Sequence, residues 1–229
     1  MPKIDKRIFY DSIAEQFDAL MNPYEVNKRL NIIFNRLLSD DLNGKLVLDA
    51  GCGTGKFSAG LIERGACVVS SDIGHGLVMQ SLLKSPTAWG VQSSLENLGV
   101  ADNTFDVVVC TEVIEHTPNP RCSVHELLRV LKPGGILVLT VPHQLWRFSV
   151  TVANWLKIRP YAGYENWVSR RELELWVEEA GGNVEQMIGF NLFPLFYRPF
   201  YKLLDAADHY RLLYPLMVNI GLRVRKNFS

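Results

Sequence analysis

The stretch Leu46-Val-Leu-Asp-Ala-Gly-Cys-Gly-Thr-Gly55 governs the reading of everything around it. A short apolar run of strand character ends in Asp49 and Ala50, and glycines then follow at every second position, 51, 53 and 55. Such a turn lets main chain approach a ligand where any side chain would collide, and it stands at the carboxyl end of what reads as the first strand of a parallel sheet. Spacing tests which ligand. A phosphate-cradling loop requires GxxxxGK[ST]; here Lys56 is followed by Phe57 and position 50 is alanine, so ATP and GTP are excluded. A dinucleotide fingerprint requires GxGxxG, and its third glycine is replaced by Lys56 counted from Gly51 or by Ser58 counted from Gly53. An NAD or nucleotide-sugar enzyme is thereby disfavoured but stays open.

Outward from this turn the chain alternates β-rich runs with longer helical segments. Runs at Lys45–Ala50, Cys67–Asp72, Phe105–Cys110 and Ile136–Val141, with a weaker one at Trp89–Gln92, predict βαβ units and a parallel sheet. Val124, Leu127, Leu128 and Leu131 recur at helical spacing before Lys132-Pro-Gly-Gly135, which predicts a crossover helix with a sharp stop. Ser169-Arg-Arg-Glu172 fits a capping box, with Leu173, Trp176, Val177 and Ala180 on one face and Gly181-Gly182 ending the segment. Two further strands are expected at Val184–Phe190 and Leu216–Val224, and about the first 40 residues read as helices ahead of the sheet.

Composition narrows the function classes. The 229 residues are 48% apolar and 21% charged, which fits one folded domain, and 24 basic residues balance 24 acidic ones. No overall field draws the chain to a phosphate polymer, so a dedicated nucleic-acid binder is not expected. The cysteines at 52, 67, 110 and 122 form no CxxC pair and no zinc-spaced cluster, and read as reduced thiols. No secretory signal precedes residue 16 and no window has the ~18–20 apolar residues of a membrane span, so a cytoplasmic location is expected.

The stretch at 46–55 resembles motif I of the class I S-adenosylmethionine-dependent methyltransferases: an apolar strand, an acid, then GxGxG. The resemblance covers roughly 45–142 closely and 170–190 loosely, with Asn103–Cys110 similar to motif IV and Leu127–Pro142 to the next landmark. It implies a Rossmann-like α/β fold: a seven-stranded, mostly parallel sheet with helices on both faces and a final antiparallel strand from the tail. Within one domain it implies a helical lid over 1–42, a donor-binding core over 43–142, and acceptor-side insertions with C-terminal strands over 143–229. The implied donor is S-adenosylmethionine. Gly51, Gly53 and Gly55 accommodate its methionine part and Asp49 helps to orient its amino group. Asp72, 17 residues after Gly55, takes the ribose hydroxyls, close to the ~20-residue spacing of nucleotide-binding acids. Ile73, Ser94, Leu95 and Cys110 complete the implied donor site, with Ser94 standing where the family often has an acid. Phe9-Tyr10-Asp11 and Phe17-Asp18 resemble the aromatic N-terminal lid, with Tyr10 packing over the donor.

Methyl transfer to a hydroxyl needs alignment, dryness and a base, and a near-neutral histidine suits the last. His116, in Glu112-Val-Ile-Glu-His116, and His143, directly after the fifth strand, lie where open α/β sheets bind ligands. The EVIEH string resembles the ubiquinone-biosynthesis type of small-molecule methyltransferase, in which this Glu-His pair borders the methyl site. His116 reads either as the base or as a residue that caps the crossover helix and holds the loop; His143 is a second candidate for acceptor contact. His75, His125 and His209 read as surface residues, and no metal site is expected.

The acceptor is narrowed by what is missing. The chain lacks the [ND]PP[YFW] of base amino-methyltransferases, and Glu112 and Glu115 lie too close to resemble an arginine methyltransferase's double-glutamate loop. Eight of the 24 aromatics fall within the 25 residues from Phe190 to Tyr214, and Trp146, Phe148, Trp155, Tyr161, Tyr164 and Trp167 lie between His143 and Trp167. With Arg147, Arg159, Arg198 and Arg211 they suit a small, partly apolar acceptor such as a quinone precursor, lipid, glycan or other metabolite. Sheet-edge cover, a homodimer interface and peripheral membrane contact near Lys157, Lys202 and Arg211 are alternative uses of the same residues. A non-catalytic binding module on the same fold is the alternative from another functional class.

Overall fold

The computed structural model describes residues 11, 13–148, 166–192 and 201–228. Strands β1 (Leu46–Ala50), β2 (Cys67–Asp72), β3 (Trp89–Gln92), β4 (Phe105–Thr111), β5 (Leu131–Pro142), β6 (Gly182–Phe190) and β7 (Asn219–Lys226) form one sheet in the order β3-β2-β1-β4-β5-β7-β6. β1 to β5 pair in parallel, while β7 runs antiparallel to both β5 and β6. Helices are α1 (Phe17–Leu20), α2 (Pro23–Ile32), α3 (Lys56–Ile62), α4 (His75–Lys84), α5 (Pro120–Val130), α6 (Arg170–Glu179) and α7 (Tyr201–Ala207).

Alternation along the strands sorts side chains to two cores. Leu48, Val108, Leu137, Leu139 and Leu222 face α5 and α6, meeting Leu127, Leu128, Leu173 and Val177. Val47, Val107, Val109 and Val138 face the other way, against Phe57 and Leu61 of α3 and against Ile33, Phe34 and Leu37 of the π-helical turn that continues α2. Each fully covered leucine contributes roughly 1.5–3 kcal/mol relative to exposure, so these two layers hold the sheet. The same alternation puts Asp49, between Leu48 and Ala50, on the α3 side.

Local chemistry sets the helix ends. Asn22 accepts from the Tyr24 N–H at 3.0 Å with Pro23 at the first position of α2, and Asn119 accepts from the Cys122 N–H at 3.2 Å with Pro120 opening α5. At α6 both halves of the capping box form: the Ser169 hydroxyl accepts from the Glu172 N–H, and the Glu172 carboxylate accepts from the Ser169 N–H.

Two boundaries differ from the sequence reading. Leu131 is extended and already paired with Phe105, so α5 ends at Val130; the ladder resumes at Val107 and Ile136, and Lys132–Gly135 bulge out between them with Gly134 at φ +74°. In the tail, Leu216 belongs to a 3-10 segment (Arg211–Leu216) containing Pro215, and β7 begins only at Asn219.

Candidate active site

The glycine turn is built from left-handed backbone: φ is +77° at Gly51, +52° at Gly53 and +84° at Gly55. The N–H groups of Gly51 and Cys52 both donate to the Ser71 carbonyl at the end of β2, which fixes the turn's first half. A Cβ at Gly51 would sit 2.3 Å from Val113 Cγ2, and one at Gly55 would sit 2.4 Å from Ser81 Oγ and 2.8 Å from Ser81 Cα. At Gly53 the nearest atom is Phe17 Cε1 at 3.5 Å, an ordinary contact. Two of the three glycines are therefore required by the protein's own packing, against the loop after β4 and against α4; the middle one faces the N-terminal segment.

Two buried carboxylates lie beneath. Asp49 accepts from the Ser58 hydroxyl at 2.6 Å, Ser58 and Ser70 hydroxyls lie 2.7 Å apart, and Ser81 donates to Ser70 at 3.1 Å. Burial raises Asp49 from the ordinary 3.8 to about 7, the Ser58 hydrogen bond opposes this, and the charge on Asp72 adds to it. Asp72 accepts from the Gly53 N–H at 2.9 Å and the Gly74 N–H at 3.0 Å, and burial still holds it above the usual carboxylate range. Ile73 is half-buried, its carbonyl accepting from Gln92 Nε2 at 3.0 Å. The Ser94 hydroxyl is turned to the Glu96 N–H at 3.4 Å, within its own loop, and Leu95 is buried beside it. The Cys110 thiol lies wholly inside the core, where burial pushes it well above its usual range, so only main chain at that position can meet a ligand. Tyr10 lies outside the described residues, as do Phe9, Trp155, Lys157, Arg159, Tyr161, Tyr164 and Arg198.

The N-terminal segment reaches both the glycine turn and α4. Asp18 accepts from the Thr54 hydroxyl, inside the glycine turn, at 2.6 Å; Lys56 stands 3.4 Å away and Lys84 also pairs with it. Asp11 accepts from the Gly76 N–H, at the first turn of α4, at 2.8 Å.

On the far side, β4 delivers Glu112 in left-handed backbone (φ +55°), then Val113 against Gly51, then a 3-10 turn Ile114–His116. His116 Nε2 stands 3.9 Å from Glu115 Oε1, and its side chain is a quarter exposed. Since Asn119 caps α5, capping is not the work of His116. The loop is pinned by Asn166, whose N–H donates to the Glu115 carbonyl at 2.8 Å and whose Nδ2 donates to the Thr117 carbonyl at 2.6 Å. His143 follows β5, its N–H donating to the Val218 carbonyl at 2.7 Å. Burial and then the Arg170 charge hold its imidazole below the usual histidine range, the Met217 carbonyl opposing them. His75 and His209 are exposed, while His125 faces Glu179 at 3.8 Å.

A family profile described as a methyltransferase domain matches residues 24–187. The chain belongs to the class I S-adenosylmethionine-dependent methyltransferases. Among the methyltransferase's relatives are "Ubiquinone biosynthesis O-methyltransferase" of Pseudomonas fluorescens, 31% identical over 79% of this chain and 80% of that one, and its namesake from Hahella chejuensis, 33% identical over 81% of each. Among solved structures, magnesium protoporphyrin IX methyltransferase of Synechocystis with bound S-adenosylhomocysteine superposes with a TM-score of 0.71 at 18% identity, over 97% of this chain and 98% of that one. The [4+2]-cyclase SpnF also reaches 0.71, at 17% identity over 98% and 96%. Both show the fold. The methyltransferase uses S-adenosylmethionine as its methyl donor, and no helix among the described residues is long and apolar enough to cross a membrane.

Sequence reasoning missed several links. The clamp of Asp18 on Thr54 spans 36 residues and a hydrogen bond from Asn219 to Glu112 spans 107. No local pattern signals either.

Proposed function

We propose that the enzyme methylates a hydroxyl oxygen of a small, partly apolar acceptor, with His116 as the base. One observation carries this reading: a titratable imidazole stands on the same short loop whose Val113 packs against Gly51, three residues away along the chain. The names of the relatives, which are about one-third identical over four-fifths of both chains, support an oxygen acceptor. Exposed apolar side chains at the carboxyl end of the sheet, Leu145, Phe148, Tyr210 and Leu212 among them, support an acceptor with an apolar portion.

The residues present fit the donor. The pair Asp49 and Asp72 sits buried under the turn, and the charges acting on Asp49 and Asp72 are those of other carboxylates, so a ligand carrying ammonium and sulfonium complements them. Beside the N–H groups of Gly53, Gly74 and Ile73, the Asp72 carboxylate keeps acceptor capacity for a ribose hydroxyl, and Ile73, Ser94, Leu95 and the Cys110 main chain border the nucleoside's side of the site. When bound, the donor supplies an activated methyl group for in-line transfer. The chain's own residues do the rest. Gly51–Gly55 shape the cradle, Phe17 and Asp18 close it from water, His116 takes the hydroxyl proton, and Glu115 steadies the imidazolium. His143 borders the acceptor from β5.

Calorimetry with S-adenosylhomocysteine beside NAD, followed by methylation assays on alkylated phenols, catechols and hydroquinones, tests the reading. His116→Ala is expected to bind S-adenosylhomocysteine with near-normal affinity and to turn over on the order of 10²-fold more slowly. Full turnover in that variant, or transfer to nitrogen alone, refutes it.

A further inference from the structure

Between β1 and β2 on one side and α3 and α4 on the other, the filling is apolar, with Val47, Val68, Phe57 and Leu61 in one cluster, except for a polar run under the glycine turn. Ser58 of α3, Ser70 of β2 and Ser81 of α4 are wholly buried, and they meet one another and Asp49 of β1. A buried hydroxyl costs free energy unless it is paired, and alanine would fill this layer without that cost. Three separate elements nevertheless each bring a serine to the same spot.

The direction of the run follows from proton counting, since each hydroxyl has one proton to donate. Ser58 donates its proton to Asp49 Oδ2 at 2.6 Å, so in its 2.7 Å contact with Ser70 it can only accept, and Ser70 is the donor. The Ser70 proton is then engaged as well, which leaves Ser81 to donate to Ser70 at 3.1 Å. All three O–H dipoles therefore point toward the carboxylate, and hydrogen bonds aligned in this way strengthen one another. A Cβ at Gly55 would sit 2.4 Å from Ser81 Oγ, so the last glycine of the turn leaves room for the hydroxyl that heads the chain. Facing Asp49 besides the serines are Asp72 from the end of β2, the Cys52 thiol from the glycine turn and the Cys110 thiol from β4, and none of them is a cation. Among the described residues, the groups that favour the charged form of Asp49 are the Ser58 hydroxyl and the Ser58 N–H, while burial and Asp72 oppose it.

We propose that Ser58, Ser70 and Ser81 are positioning residues whose hydroxyl chain sustains the negative charge of Asp49 and so sets the pH range over which the enzyme captures the ammonium group of its methyl donor. The inference rests on the donor assignment above and deepens it: the chain prepares a carboxylate for which the ligand, rather than a side chain, brings the positive charge. When Asp49 is protonated, binding must first expel that proton, so affinity falls as the medium becomes more acidic. Without the chain the proton is retained to higher pH, and capture of the donor sets in only at higher pH.

The test is calorimetric binding of S-adenosylhomocysteine, which carries the same ammonium group, at several values between about pH 5.5 and 8.5. Ser58→Ala is expected to move the rise in affinity upward by about one pH unit, so that binding is roughly tenfold weaker at about pH 6 yet within about twofold of the wild type at about pH 8.5. Ser70→Ala shifts the profile the same way but less, and Ser81→Ala less again, following their distance along the chain. Ser58→Cys keeps the volume with a weaker donor and reads the same effect in smaller measure should the alanine variant fold poorly. In an Asp49→Asn background the Ser58 substitution is expected to have no effect on the pH profile. A loss of affinity that is equal at every pH, or that persists beside Asp49→Asn, makes the serines a matter of packing and overturns the proposal. If the wild type binds no S-adenosylhomocysteine at any pH, the donor assignment fails, while carboxyl NMR titration of Asp49 in the ligand-free wild type and Ser58→Ala still decides whether the chain governs its charge: an unmoved titration overturns that too.

Discussion

Asp49 keeps its proton up to about pH 7 because it is sealed between β1 and α3 with a serine hydroxyl as partner and a second carboxylate nearby. In the unfolded chain the same group ionises near its ordinary 3.8, so between these values the folded state holds a proton that the unfolded state has released. Stability from this group is full at low pH and falls as pH rises through that window. Thermal unfolding between about pH 4 and 7 is expected to show the wild type losing ground to Asp49→Asn, which keeps an acceptor for Ser58 but has no charge to bury. A cationic donor favours the ionised form, so S-adenosylmethionine binds more tightly as pH rises toward neutrality and releases a proton, which calorimetry in buffers of different ionisation heat detects. The glycines separate in the same way. Gly55→Ala adds a methyl against Ser81 main chain and strains a φ of +84°, and is expected to cost about 2–4 kcal/mol in denaturant titrations. Gly53→Ala has room beside Phe17, so it pays chiefly the left-handed strain of about 1–2 kcal/mol and folds, with weaker donor binding. The motif was plain from its spacing, but which atoms each glycine avoids was not, since Val113 and Ser81 arrive from elements far along the chain.

Elements whose ends are written in adjacent residues were legible. Ser169 and Glu172 announce α6, and the reciprocal bonds form; Ser169→Ala is expected to lower stability by about 1 kcal/mol, read as a shifted denaturation midpoint at unchanged slope. The bulge at Lys132–Gly135 was not legible, because a Pro-Gly-Gly stop looks the same whether the strand starts before it or after it. The N-terminal segment belongs here too. Among the described residues its polar hold on the glycine turn runs through one carboxylate, Asp18, more than a third exposed and shared by Thr54, Lys56 and Lys84, with burial's upward pull on it outweighed by those partners. Exposed pairs of this kind contribute little to global stability. Asp18→Ala should therefore leave the melting temperature nearly unchanged while speeding limited proteolysis around residues 11–20, more so without S-adenosylhomocysteine than with it.

At the scale of the molecule, the parallel half of the sheet followed from alternating strand and helix patterns, whereas the order of β5, β7 and β6 depends on pairings that no single stretch encodes. Saturating S-adenosylhomocysteine binds only the folded sheet, so at about 100-fold over its dissociation constant it should add about 2.7 kcal/mol and raise the melting temperature by several degrees, with NAD giving no shift. β7 is synthesised after both neighbours yet lies between them. While a ribosome is still making the residues near 219, the facing margins of β5 and β6 have nothing to join them, and their open main-chain groups invite strands from other nascent copies. Late completion of this kind leaves an aggregation-prone interval during folding that the stability of the finished sheet does not shorten.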